Sequence, residues 1–130
     1  MPVNPPDRLR LLDAVIEVLG QDSSAGGEAM SAYKSRIALS LLAILRRELA
    51  LAEGLAAEEC ARLTALLGCE GDAAALSVAL CERIRSRRLD IAAPALLAHL
   101  RQTTLGKLAI DNPRYSAYLR ATGTSQSRER

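Results

Sequence analysis

The polar side chains able to do chemistry in this 130-residue chain are few, and they sit among leucines and alanines. On a helix, where successive residues advance by ~100°, Met30, Tyr33, Ile37, Leu41, Ile44, Leu45, Leu49 and Leu51 share one broad face. Glu48 lies near the middle of that face and Lys34 close to the same line, with Arg36, Ser40 and Arg47 on the flank. Further along, Lys107 and Asp111 stand four residues apart beside Leu100 and Thr104. His99 and Thr103 occupy the neighbouring strip. Lys and Glu are seldom fully buried unless paired, so each charge on a core-facing line needs a partner. The expectation is that Lys34, Glu48, Lys107 and Asp111 form boundary ion pairs stitching two helices together. The alternative is a polar pocket between those helices, where Arg36, Glu48, His99, Lys107 and Asp111 surround a small anionic ligand. In that pocket Lys107 and Arg36 meet the anion and Glu48 orients them.

Other chemistries find no support in residue types or spacing. Gly106-Lys107 is not a phosphate-binding loop, because Arg101 stands where a glycine is required and Leu108 where Ser or Thr is required. One histidine, His99, makes no multi-histidine metal site and supplies no second partner for nucleophilic catalysis. Cys60, Cys69 and Cys81 are an odd set without C-x-x-C spacing, which argues for reduced thiols rather than a disulfide framework. Cys60 and Cys81 lie among aliphatic residues and read as small hydrophobes. No catalytic residue, metal or cofactor is assigned, and the reading leans away from an enzyme, with the polar-pocket alternative standing for either a small anionic ligand binder or a minor enzyme.

Charge points the same way. The net charge is +2 and the pI about 8.6, from 17 basic and 15 acidic residues scattered along the chain. Nucleic-acid binding usually needs a larger or more segregated excess. Fifteen of the basic residues are Arg and two are Lys, a skew that a GC-rich genome explains. The segments around Gly68-Cys69-Glu70-Gly71 superficially resemble a helix-turn-helix. A recognition helix reads bases near its N-terminal end, however, and here that end is Asp72-Ala73-Ala74-Ala75. Arg83, Arg85, Arg87 and Arg88 gather at the other end, so a nucleic-acid regulator is only the second alternative.

The elements that must position these residues are helices. Leu and Ala account for 46 of the 130 residues, Phe and Trp are absent, and Val, Ile and Thr total 15, too few to fill a sheet. Asp7 caps a helix carrying Leu9, Leu12, Ile16 and Leu19 on one face, ending near Gly20; 22–27 forms a flexible loop. The spacing predicts a long helix from about Glu28 to Ala52, closed by Gly54. A third follows over Ala57 to Leu67. Asp72 caps a fourth, with Leu76, Leu80 and Ile84 at i+4 spacing, ending at Arg87-Arg88. Pro94 opens a fifth, apolar nearly all round and therefore central, which Asn112-Pro113 ends near Asp111. One or two further turns cover Arg114 to Ala121. The expected architecture is all-α, a single-domain antiparallel bundle of about five helices over 1–121, with a polar disordered tail over 122–130. No apolar run reaches the ~18 residues of a membrane span, and the N-terminal segment lacks signal-peptide features, so the expected setting is the bacterial cytoplasm, away from membranes.

Two stretches carry a resemblance. The segment from Leu97 to Tyr115 (Leu-Ala-His-Leu-Arg-Gln-Thr-Thr-Leu-Gly-Lys-Leu-Ala-Ile-Asp-Asn-Pro-Arg-Tyr) resembles the C-terminal signature of an uncharacterised bacterial domain family. Tyr33-Lys34-Ser35-Arg36-Ile37-Ala38 and Ala43-Ile44-Leu45-Arg46-Arg47-Glu48-Leu49 resemble its long helix, and the likeness extends from Leu9 to Tyr115. The family pattern has a histidine at the position of Lys34 and an asparagine at that of Ser40. The resemblance implies a small helical protein often encoded beside aminoglycoside-phosphotransferase-like kinases and acyl-CoA dehydrogenases, with no established catalytic residue. The resulting expectation is a helical interaction or accessory protein that self-associates or partners a phosphotransferase-like or acyl-CoA-metabolising enzyme.

Overall fold

The computed structural model describes residues 6–20 and 27–123. Five helices span these residues, and no strand occurs among them. The chain is all-α. Its first helix, α1 (Arg8–Gly20), starts where Asp7 accepts a hydrogen bond from the Arg10 amide at 3.0 Å, the capping expected of an Asp there. The second, α2 (Gly27–Leu67), runs 41 residues without a break. Then come α3 (Ala73–Arg85), α4 (Pro94–Asp111) and the six-residue α5 (Ser116–Ala121). The expected loop over 22–27 and the tail beyond Gly123 lie outside the described residues, apart from Gly27, which starts α2.

The helices expected over 28–52 and 57–67 are thus one helix, and Gly54 lies inside it. A glycine in mid-helix costs only roughly 0.5–1 kcal/mol relative to alanine. Strong helix formers flank it on both sides (Leu51-Ala52-Glu53 and Leu55-Ala56-Ala57), and Leu55 and Ala56 are half-buried, so the helix continues. Its true end is Gly68, whose φ of +69° is the left-handed conformation a helix C-terminus often adopts. The Gly68 amide still donates to the Thr64 carbonyl at 2.8 Å.

The chain divides into two compact units between Ala50 and Leu51, within α2, where neither glycine nor proline marks the place. In the unit from Leu51 onward, Leu63, Leu67, Leu76, Leu80 and Leu96 form the core, with Cys60, Leu66, Ala79 and Ile84 packed against it. Asp72 caps α3 through a 2.7 Å bond from the Ala75 amide, which sets Leu76 and Leu80 inward. That helix stops at Arg85 rather than Arg88, because Arg87 turns left-handed at φ +59° and the Arg88 and Leu89 amides fold back to the Arg83 carbonyl. Pro94 and Asn112 bound α4 as their chemistry requires.

In the other unit, α1 buries Leu11 and Val15, whereas Leu9, Leu12, Ile16 and Leu19 are 39–72% exposed. The face read from spacing is therefore the outward one. Arg8, Leu11 and Val15 share one helical line, and this orientation brings Arg8 Nε to 3.6 Å from Oε1 of buried Glu48 on α2. On α2 itself, Ala38, Leu45 and Glu48 are buried, Ile37, Leu41 and Ile44 are half-buried, and Met30, Tyr33, Leu39, Leu42 and Leu49 remain exposed.

Substituting the two glycines should have opposite effects. The space around Gly54 is open, so Gly54→Ala should stabilise by about 0.5–1 kcal/mol. Gly68→Ala should destabilise by about 1–2 kcal/mol, because a Cβ is strained at that φ. Urea denaturation midpoints of the two variants against the wild type check both signs.

Candidate functional site

The line along α2 that buries Leu63 and Leu67 also contains Glu59, one turn before Leu63, and Glu59 is only 4% exposed. On α4 the buried line runs through Leu96, His99, Gly106 and Ile110, with Thr103 half-buried between them. Leu97 and Leu100 are 52% and 45% exposed, so α4 is not enclosed on all sides as its composition suggests. The strip holding His99 and Thr103 faces inward, and the one holding Leu100 and Thr104 faces out.

Arg62 joins these two lines. Its Nε donates to His99 Nδ1 at 3.3 Å and its Nη2 donates to Thr103 Oγ1 at 3.2 Å. Because Nδ1 accepts from a guanidinium that is always protonated, the neutral His99 ring carries its proton on Nε2. Burial holds the pKa of His99 below its usual 6.5, and the neighbouring Arg62 charge lowers it further, while the carboxylate of Glu59 pulls the other way. The imidazole is thus a neutral hydrogen-bond partner in a cluster with one fixed cation and one acid.

The cluster opens onto a cavity of about 250 Å³. Arg62, His99 and Gln102 provide its polar groups. Its walls are aliphatic: Ala65 and Leu66 on α2, Ala95 and Ala98 on α4.

The residues expected to form one site fall in separate units. Arg36 and Glu48 belong to the unit ending at Ala50, and His99, Lys107 and Asp111 to the one from Leu51. Glu48 is buried, with Arg8 as an ion-pair partner. Exposed Arg36 lines an open groove of about 460 Å³ with Tyr33, Ile37, Ser40 and Leu41. Lys34 is half-buried on α2, and Lys107 and Asp111 are half-buried on α4. His99 alone among the five candidates lies in the Arg62 cluster. Arg62 and Glu59 escape a reading by spacing centred on the stretch before Gly54. The signal that singles out Glu48, an acid on a leucine line, applies equally to Glu59 in front of Leu63 and Leu67.

All three cysteines are free thiols. Cys60 packs against the core and its Sγ donates to the Gly71 carbonyl at 3.4 Å, whereas Cys81 is exposed, against its expected place among aliphatic neighbours. Among the described residues no group of three or more His, Cys, Asp and Glu side chains is placed to hold a metal ion. No helix among them is long and apolar enough to cross a membrane.

Residues 26–115 match the family described as "Domain of unknown function (DUF6285)". The match ends at Tyr115 and contains both stretches that carry the resemblance, the one on the long helix and the one from Leu97; it begins at residue 26, so the part of the expected likeness over 9–25 lies outside it. No match was found among curated proteins, and none among solved structures.

His99 should give stability a pH dependence of definite sign. With its folded-state pKa below 6.5, the unfolded chain binds the proton more readily, so His99 favours folding fully above pH 6.5. This contribution declines as pH falls from 6.5 toward the folded-state value. His99→Asn removes it, and urea midpoints measured from about pH 7.5 to about pH 5 should fall less steeply for the variant than for the wild type. Equal slopes would contradict this assignment.

Proposed function

The chain belongs to the DUF6285 family, a domain of unknown function, and we propose that it acts as a self-associating helical interaction module. The supporting observation is the apolar surface of the unit that ends at Ala50. Among its described residues Leu9, Leu12, Ile16, Leu19, Met30, Tyr33, Leu39, Leu42 and Leu49 are exposed, against Leu11, Val15, Ala38 and Leu45 buried. Scattered exposed leucines are ordinary, but a continuous row of them is the mark of an interaction surface.

The α1 row has the order of a helix-pairing seam. Leu9, Leu12, Ile16 and Leu19 follow each other at intervals of three, four and three residues, the alternation by which one helix packs along another. The occupant that fits such a seam without further assumption is the same seam on a second copy, because a two-fold interface presents one patch to itself. The exposed row Leu39, Leu42 and Leu49 on α2 offers a second apolar surface for a heterologous partner. The enzyme classes that the resemblance implies, a phosphotransferase-like kinase or an acyl-CoA-metabolising enzyme, are the partners proposed for it.

Light scattering on a size-exclusion column tests the homomeric part. The wild type should run at about twice the chain mass of 13.9 kDa at roughly 50 µM. Leu12→Gln combined with Ile16→Gln should return it to one chain with its helical circular dichroism intact, since both side chains are exposed. A wild type that is monomeric at that concentration overturns the self-association. Co-purification with either enzyme class, lost in Leu39→Gln with Leu49→Gln, would identify the partner.

A further inference from the structure

We propose that the cavity between α2 and α4 at Arg62 and His99 binds a short-chain aliphatic monocarboxylate. Arg62 holds the carboxylate, and the alanine-rich walls take the hydrocarbon. The site lies in the unit from Leu51 and does not depend on self-association.

Three observations define the ligand. The first is size. A cavity of about 250 Å³ falls just below the ~300–1,000 Å³ of sites for drug-sized molecules, so it suits a ligand of a few carbons and not a nucleotide. The second is the wall. Ala65, Ala95 and Ala98 present only methyl groups, and Leu66 adds a branched side chain, so the body of the ligand meets hydrocarbon. No Phe, Tyr or Trp is among the residues lining the cavity, and the one ring there, His99, is engaged by Arg62.

The third is the charge. Of the five N–H donors of a guanidinium, the bonds to His99 and Thr103 use two. Those bonds also hold the Arg62 fork in one orientation, so a carboxylate meets a donor set that is already placed. His99 accepts from Arg62 and stays neutral, and thus adds no second positive charge. Buried Glu59 belongs to the same cluster, which keeps the site from being strongly cationic and favours a monoanion over a phosphate dianion. Gln102 at the cavity supplies amide hydrogen bonding beside the guanidinium.

Titration with sodium hexanoate, followed by calorimetry and by the ring-proton resonance of His99, tests the site in the full chain. His99 is the chain's single histidine, so that resonance is unambiguous. Hexanoate should bind saturably with Kd of about 1 mM or tighter. Affinity should rise ~3-fold for each methylene added from butyrate to hexanoate. Hexanol, which lacks the charge, and inorganic phosphate, which lacks the chain, should each bind at least about tenfold more weakly. Arg62→Gln should abolish discrimination between hexanoate and hexanol. Because Arg62 also supports His99, Ala98→Leu is the second variant: it fills the cavity from an exposed helical position and leaves the cluster intact. It should weaken hexanoate binding at least about tenfold. Absence of saturation up to about 10 mM, equal binding of hexanol or phosphate, or unchanged binding by folded Ala98→Leu would each overturn the proposal.

Discussion

The contact between Arg62 and His99 sets the arrangement of the unit from Leu51 onward. Placing an imidazole at 4% exposure costs solvation that a hydrogen bond must replace, and that bond comes from a residue 37 positions earlier in the chain. The same guanidinium reaches Thr103, one turn further along α4, so two bonds from one planar group hold the helix in a single register. With that register set, Leu96 enters the leucine core on one side of His99, and the alanines at 95 and 98 line the cavity on the other. The polar cluster and the aliphatic cavity are consequences of one orientation of α4.

Buried acids impose a similar constraint on α2. Glu48 and Glu59 both lie on lines that otherwise carry Ala38, Leu45, Leu63 and Leu67. A carboxylate in such a position must face a cation or a hydrogen-bond donor. For Glu48 a cation is Arg8, and meeting it turns α1 so that Leu11 and Val15 go inward. The larger apolar row of Leu9, Leu12, Ile16 and Leu19 is left facing out. The surface on which the interaction reading rests is therefore linked to the burial of a charge.

Helix ends proved legible from residue type because their chemistry is local. Asp7 and Asp72 cap the helices that follow them, Pro94 occupies the first turn of α4, and Asn112-Pro113 stops it. The i+4 line of Leu76 and Leu80 is also visible in the sequence, since α3 has no competing apolar row of equal weight. Gly54 misleads because its cost of about 1 kcal/mol is smaller than the combined propensity of its neighbours and the burial beside it. Arg62 and Glu59 are hidden for a different reason. Both are ordinary residues of a charged helix until His99 is brought to them.

Composition and local spacing determined by themselves that the chain is helical, where most helices begin and end, and that a few charges would lie on apolar lines. Helical propensity and capping act within a turn or two of each residue, so they can be read in order along the chain. The tertiary structure decided which apolar face of α1 and of α4 went inside, and which charge met which partner. On α1 the row left outside is the larger of the two, so the hydrophobic effect alone does not account for the choice. The choice follows from pairing Arg8 with Glu48 and Arg62 with His99, contacts across 40 and 37 residues that exist only once the helices are packed.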